Sequence, residues 1–356
     1  MGSKNRILIA GHGIAGALLA ENLQKLGAAV TVAEPDTGNN TATRIAAGMF
    51  TPLTGHKLVK TWQADLLFPF LNSYYRNLQE KLGKLFFNEM PVYRPFNSIE
   101  DQNTITARSS EPEIQQYMNT NADNESYSDY VKNCYGGYNI LKAGWVNTVV
   151  LLDALKEKLQ QSGNWVESRI NPAELKLSEN EVIWQERIFD KVIFCNGMHA
   201  AAESIFAGIP FTPLKGETIT IKSAELPVHS IINGGGVYVV PLGLTADAGF
   251  KVGATYEHKY TNSLPTEAGL QTLVTSLEKL ISVPFEIITH NAGIRPAIQG
   301  RRPVLGFLPH SKNIGIFNGL GTKGISLAPL LASQFANHIV SGIEIMAETD
   351  IKRFYR

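Results

Sequence analysis

The run Gly11-His12-Gly13-Ile14-Ala15-Gly16, placed directly after the apolar stretch Arg6–Ala10, constrains this chain more than any other feature. Arg6–Ala10 (RILIA) reads as a buried strand. The alanine- and leucine-rich segment after the glycines carries Leu19, Leu23 and Leu26 at helical spacing, and Gly27 suits its end. Ala29–Ala33 (AVTVA) reads as the next strand. In such a β-α-β turn Gly11 permits the tight turn, Gly13 lets the backbone approach a pyrophosphate, and Gly16 lets the helix pack on the strand. The positive end of the helix then faces the anion. Glu34 closes the second strand 18 residues past Gly16, where a carboxylate can accept hydrogen bonds from an adenosine ribose. A carboxylate there repels a ribose 2′-phosphate, which argues against NADP. Strand, glycines, helix, strand and acid in this order predict a dinucleotide site, but do not separate NAD from FAD.

The chain has 356 residues, 44% of them hydrophobic and 18% charged, which suits two domains with a large core. Lysine plus arginine equals aspartate plus glutamate, 32 each, so nothing in the overall charge attracts nucleic acid. Cys134 and Cys195 lie far apart and fit neither a disulfide scaffold nor a thiolate metal site. The histidines show no paired-ligand spacing, so no metal is expected. Lys4 and Arg6 precede an apolar run, but the glycines from Gly11 onward break it before it could serve as a leader. No segment reaches the length of a membrane span, and the expected location is cytoplasmic. The oligomeric state is not specified.

Residues 57–82 show a helical pattern interrupted by Pro69, and Phe86–Phe96 resembles a strand punctuated by Pro91 and Pro95. Residues 97–132, rich in Asn, Ser, Asp and Glu, read as a solvated surface insertion. A helix is expected to follow Gly144 and run to about Gln161. Strands are expected near Trp165–Ile170, Val182–Trp184, Lys191–Cys195, Pro213–Lys222, Gly236–Pro241 and Gly249–Thr255. Thr266–Ile281 is helical, and the chain ends with strand Ile314–Phe317, the turn Asn318–Gly324 and a helix to Gly342. The expected fold is α/β, a Rossmann-like domain interleaved with an α+β substrate domain on an antiparallel or mixed sheet. Residues 1–84, 143–210 and 290–356 are assigned to the first domain, and 85–142 and 211–289 to the second.

Further motifs are similar to those of the D-amino-acid oxidase superfamily of FAD enzymes, particularly its glycine oxidase, sarcosine oxidase and D-amino-acid dehydrogenase branches. The resemblance covers nearly the whole chain in order. Ala46-Ala47-Gly48-Met49 resembles the small-residue segment that runs along the flavin, Val192–Gly197 the second nucleotide-contacting strand, and Pro213–Thr220 the strand crossing into the substrate domain. Tyr238 in Val237–Pro241 matches a substrate-facing tyrosine, and Arg295 in Ala292–Pro296, flanked by Gly293 and Pro296 in what reads as a glycine-rich turn, matches the arginine that grips a substrate carboxylate. Gly319–Pro329 is similar to the glycine-rich turn and helix over the flavin pyrimidine. The resemblance thus implies non-covalent FAD held by Gly11, Gly13, Ile14, Ala15, Gly16, Glu34, Thr43, Arg44, Ala47, Gly48, Met49, Ile170 and Gly197. Gly319, Leu320, Gly321, Thr322, Lys323, Gly324 and Ile325 complete that set.

The same resemblance implies oxidation of the C–N bond of an amino acid or secondary amine, by hydride transfer to flavin N5 with formation of an imine. Oxygen or another acceptor would reoxidise the flavin. Arg295, Tyr238, Met49 and Thr322 are the expected substrate contacts. Lys251, in Gly249–Gly253, matches a lysine of the sarcosine oxidase branch that faces the flavin and promotes reaction with oxygen; an exposed edge lysine is the plain alternative. Thr322 stands where the glycine oxidase branch has a second arginine, which weakens the case for glycine itself as substrate. The turn Gly319–Gly324 also resembles the oxidase domain of a bifunctional tRNA wobble-uridine modifying enzyme, so oxidation of a modified RNA base is the competing expectation. A flavin-binding protein without an amine substrate is another.

Overall fold

The computed structural model describes residues 5–36 and 41–355; Lys4 lies outside them. Among the described residues, two main sheets with fourteen strands between them, packed with seven helices, form the framework of the site. In chain order the first elements are β1 (Arg6–Ala10), α1 (Ile14–Lys25), β2 (Ala29–Ala33), α2 (Ala42–Ile45), α3 (Ala64–Leu82), β3 (Val92–Pro95), α4 (Ile99–Arg108), β4 (Met118–Asn119), β5 (Gly137–Ile140), α5 (Thr148–Gln161) and β6 (Trp165–Val166). They are followed by β7 (Lys191–Phe194), β8 (Leu214–Lys222), β9 (Ile231–Gly234), β10 (Val237–Pro241), β11 (Phe250–Gly253), α6 (Glu267–Leu280), β12 (Glu286–Arg295), β13 (Val304–Phe307), β14 (Ile314–Asn318) and α7 (Gly324–Ser341).

One sheet has the order β6-β2-β1-β7-β14-β13, parallel throughout except for the last pair. β1 is buried from Ile7 to Ala10 and α1 from Ile14 to Leu23, so the opening β-α-β is an interior unit. This explains why its helix has no polar stripe. The second sheet has eight strands, β12-β8-β11-β10-β9-β3-β5-β4, antiparallel except for β9 with β3. One hydrophobic cluster joins α1, α3 and α7 to β3 and Val240 of β10, and so ties the two sheets together. Another, on Ile219, Val239 and Val252, lies under α6 through Leu273 and Leu277.

Several expectations need correction. The helix anticipated over 57–82 begins only at Ala64, because 53–60 form a small hairpin; Pro69 lies within α3 rather than interrupting it. Pro69 falls on the exposed side of the helix. The stretch 86–96 is two strands, Phe87–Glu89 and β3, since Met90-Pro91 breaks the ladder. The insertion 97–132 is more than solvated surface: it carries α4 and buries Ile105, Ile114, Tyr117, Tyr127 and Val131. Arg295 ends a ten-residue strand and not a turn, as β12 pairs along its length with β8. The division expected at residue 290 therefore falls inside a strand of the eight-stranded sheet. No helix among the described residues is long and apolar enough to cross a membrane.

Candidate functional site

A cavity of about 710 Å³ runs from the β1–α1 turn to the inner face of the eight-stranded sheet. At one end the β1 turn is packed so tightly that only glycine fits. A Cβ on Gly16 would stand 2.0 Å from the Gly11 carbonyl oxygen, and one on Gly11 (φ +105°) 2.6 Å from that of Cys195. The His12 N–H donates to Glu34 Oε2 at 2.8 Å, and the Ile14 N–H to Thr43 Oγ1 at 3.1 Å. Burial is the main influence on the Glu34 carboxyl and raises its pKa against the opposing pull of the His12 N–H. Asn196 also lines the cavity, and its Oδ1 is buried without a hydrogen-bond partner among the described residues. A turn with this shape, an orphaned acceptor and a carboxylate at the strand end fits an adenosine diphosphate moiety.

Gly11, Gly13, Ile14, Ala15, Glu34, Thr43, Ala47, Gly48, Met49, Ile170 and Gly197 all line this cavity, as do Leu320 to Ile325. Gly48, at φ +71°, approaches the Val146 carbonyl so closely that a Cβ would be 1.9 Å from its oxygen. Gly16 and Gly319 stand behind the lining; a Cβ on Gly319 would meet Ile298 at 2.3 Å. Arg44 does not line the cavity. It pairs with Asp153 and lines a smaller pocket with His12, Lys156 and Trp165. His12 is buried edge-on to the Trp165 ring, and burial takes its pKa down to about 3, so the ring is neutral.

At the other end two glycines clear space for two longer side chains. The Arg295 guanidinium lies across Gly216, where a Cβ would come within 2.1 Å of Nη2. The Tyr238 phenol lies across Gly253, where a Cβ would be 2.7 Å from the hydroxyl. Neither glycine has a positive φ, so the requirement is room and not backbone conformation. Arg295 Nη1 donates to the carbonyls of Thr255 at 3.2 Å and Lys215 at 3.4 Å, and the guanidinium stacks 4.7 Å from the Tyr256 ring. Among the described residues no carboxylate lies within ion-pair distance of it. The guanidinium is thus a half-buried cation, oriented by two carbonyls, with donors left for a ligand. Burial pushes the Tyr238 hydroxyl well above the usual phenol range, so it remains a neutral donor.

Thr322 and Met49 also line the cavity. Lys323 does too; its ammonium donates to Thr61 Oγ1 at 3.1 Å, and burial, then Arg302 and Arg301, lower its pKa. Lys251 lies outside the lining, two residues before Gly253 on the same face of β11. Its pKa is lowered by burial, and it has no partner among the described residues. The motifs overlooked Gly216, Thr218, Gly253 and Tyr256. The first three could have been found from alternation along β8 and β11, while Tyr256 sits in an irregular segment with no periodicity to mark it. Among the described residues no cluster of His, Cys, Asp or Glu could hold a metal ion.

The family model described as DAO, FAD dependent oxidoreductase, matches residues 6–338. Glycine oxidase of Pseudomonas putida is 29% identical over 138 residues, which are 38% of this chain and 37% of that protein. The tRNA 5-methylaminomethyl-2-thiouridine biosynthesis bifunctional protein MnmC of Legionella pneumophila (strain Lens) is 26% identical over 381 aligned positions, covering 95% of this chain and 55% of that protein. The matched stretch thus spans well under two thirds of either relative. Among solved structures, glycine oxidase from Bacillus cereus ATCC 14579 superimposes with a TM-score of 0.78 at 20% identity, covering 96% of both chains. Iminodiacetate oxidase from Chelativorans sp. BNC1 gives 0.74 at 21%, covering 97% of this chain and 99% of the other. At such identities the likeness is one of fold.

Proposed function

The chain belongs to the DAO family of FAD dependent oxidoreductases, and from that premise we propose that it oxidises the C–N bond of a carboxylate-bearing amine, an amino acid or a secondary amine, to an imine. The single observation that carries this reading is the Arg295 guanidinium, cavity-facing, fixed by two carbonyls and with no carboxylate partner among the described residues. FAD, when bound without a covalent link, supplies the two-electron acceptor for the hydride leaving the substrate carbon.

The chain's own residues do the rest. The β1–α1 turn with Glu34 would hold the adenosine diphosphate, and Gly48, Met49 and the segment 320–325 the ring system. Arg295 would take the substrate carboxylate through paired charge-assisted hydrogen bonds, and the Tyr238 hydroxyl would donate a further one. These contacts fix the substrate carbon while the walls exclude water, which is the main protein contribution to hydride transfer from an amine. The amine must be neutral to release a hydride, so its proton passes to solvent before the step. The imine then hydrolyses in water. Lys251, with its lowered pKa, is proposed as the group that promotes reaction with oxygen: Lys251→Met should slow reoxidation of the reduced enzyme and leave its reduction unchanged. Equal reoxidation rates would remove that role.

Glu34→Ala is expected to weaken FAD binding by about 1.5–3 kcal/mol, the value of hydrogen bonds to a charged group. Titration of apoprotein with FAD reads this directly, and an unchanged Kd would take Glu34 out of the ribose site. The activity itself is tested by screening amino acids and N-methyl amines with oxygen and with a dye acceptor in parallel. Turnover should be fastest with amines that carry a carboxylate close by.

A second reading, oxidation of a modified tRNA base, is supported by the similarity to MnmC along 95% of this chain. The cavity lining, moreover, carries the cations Arg94, Arg169, Arg295 and Lys323 against the two acids Glu34 and Glu203. Balanced overall charge weighs against it. Reduction of the flavin by tRNA but by no free amine would favour this second reading.

A further inference from the structure

We propose that Glu217 is a positioning residue for Arg295, acting from the far side of the sheet; the proposal rests on the carboxylate-binding reading above. Side chains alternate along β8, so Gly216 faces the cavity while Lys215 and Glu217 face α6. Both are almost wholly buried, at 1% and 0% exposure, and they pair at 2.9 Å. Glu217 therefore cannot touch a substrate. Its carboxylate accepts hydrogen bonds from the backbone N–H and hydroxyl of Thr266, each at 3.0 Å, and lies 2.7 Å from His290 Nε2. Thr266 caps α6 and ends the segment that begins at Thr255.

The other end of that segment is tied to the same two residues. The Glu217 N–H donates to Thr255 Oγ1 at 2.9 Å, and the Thr255 N–H to the Glu217 carbonyl at 3.2 Å. Lys215 and Glu257 exchange backbone hydrogen bonds at 3.1 and 2.9 Å, and Lys215 Nζ reaches Glu257 at 3.6 Å. The two carbonyls that orient Arg295 belong to Lys215 and Thr255, so both are set by this arrangement. Tyr256, which stacks on Arg295, and Leu264, at the cavity wall, lie in the segment so clamped. Stability alone does not account for the charges. A buried ion pair is on average no more stabilising than apolar residues of the same volume, whereas removing one partner strands the other. What the pair supplies is a fixed register between β8 and residues 255–257, and with it the direction of the guanidinium.

The test uses the FAD-loaded protein, Glu217→Gln, and the double variant Lys215→Met/Glu217→Gln, which leaves no stranded ammonium. Acetate is the probe, its Kd read from the change it causes in the flavin spectrum, alongside KM, kcat and thermal melting. The double variant should melt close to the parent protein, yet bind acetate about tenfold more weakly and show a raised KM with little change in kcat, as expected for misdirected charge-assisted hydrogen bonds. If the double variant binds acetate as the parent does, Glu217 does not position Arg295, and the amine reading is untouched. If acetate fails to perturb the parent flavin, the carboxylate reading falls and this proposal with it.

Discussion

Replacing Arg295 by methionine is expected to lower kcat/KM for carboxylate-bearing amines by about 10- to 150-fold, roughly 1.5–3 kcal/mol, the usual value of a charged hydrogen bond. Methionine keeps the volume across Gly216 but removes every donor. The loss should be confined to substrates with a carboxylate; an amine lacking one should be turned over no worse than before. Lysine at 295 should recover little, because one ammonium cannot reproduce the planar fork that the Thr255 and Lys215 carbonyls orient. The local packing offers an independent check. Gly216→Ala would set a methyl group within 2.1 Å of Nη2, so it should displace the guanidinium and copy part of the Arg295 defect with the arginine still present. Unchanged kinetics with every carboxylate substrate would remove Arg295 from the site.

The other large effect is expected at Gly16. An alanine methyl there would lie 2.0 Å from the Gly11 carbonyl oxygen, a backbone atom that can move only if α1 or the turn moves with it. Overpacking of this kind costs about 1–3 kcal/mol, and here it falls on the surface meant to receive a pyrophosphate. Gly16→Ala should therefore fold but purify with little or no FAD. Gly27→Ala is the control: nothing lies within 4 Å of its added methyl, although its φ of +86° makes alanine strained. It should lose stability and keep its colour. The ratio of flavin to protein absorbance after purification separates the two, and a fully yellow Gly16→Ala protein would contradict the role given to the turn.

The opening β-α-β was legible because each of its signals is local: apolar run, glycine spacing, helical leucines, second strand and acid all lie between Arg6 and Glu34. The strands Leu214–Lys222 and Val237–Pro241 were legible from alternation for the same reason. Arg295 was singled out by its motif, yet its setting was misread. Gly293 and Pro296 suggest a turn, and only pairing with residues some eighty positions earlier makes 286–295 a strand. The glycines beneath Arg295 and Tyr238 carried no turn signal, since their function is to leave room for side chains from neighbouring strands. Residues 97–132 looked solvated by composition, but a few buried aromatics, among them Tyr117 and Tyr127, suffice to pack such a segment. The Lys215–Glu217 pair was invisible for a related reason: two charges in an apolar strand indicate burial only once the strands on either side are known.

Anaerobic titration of the FAD-loaded protein with a carboxylate-bearing amine is the deciding measurement. Such an amine should bleach the flavin to completion, with one equivalent of imine-derived carbonyl product per flavin, and Arg295→Met should raise the concentration required. A flavin that stays oxidised with every amino acid and secondary amine offered, in protein that is folded and fully loaded, would contradict the amine reading.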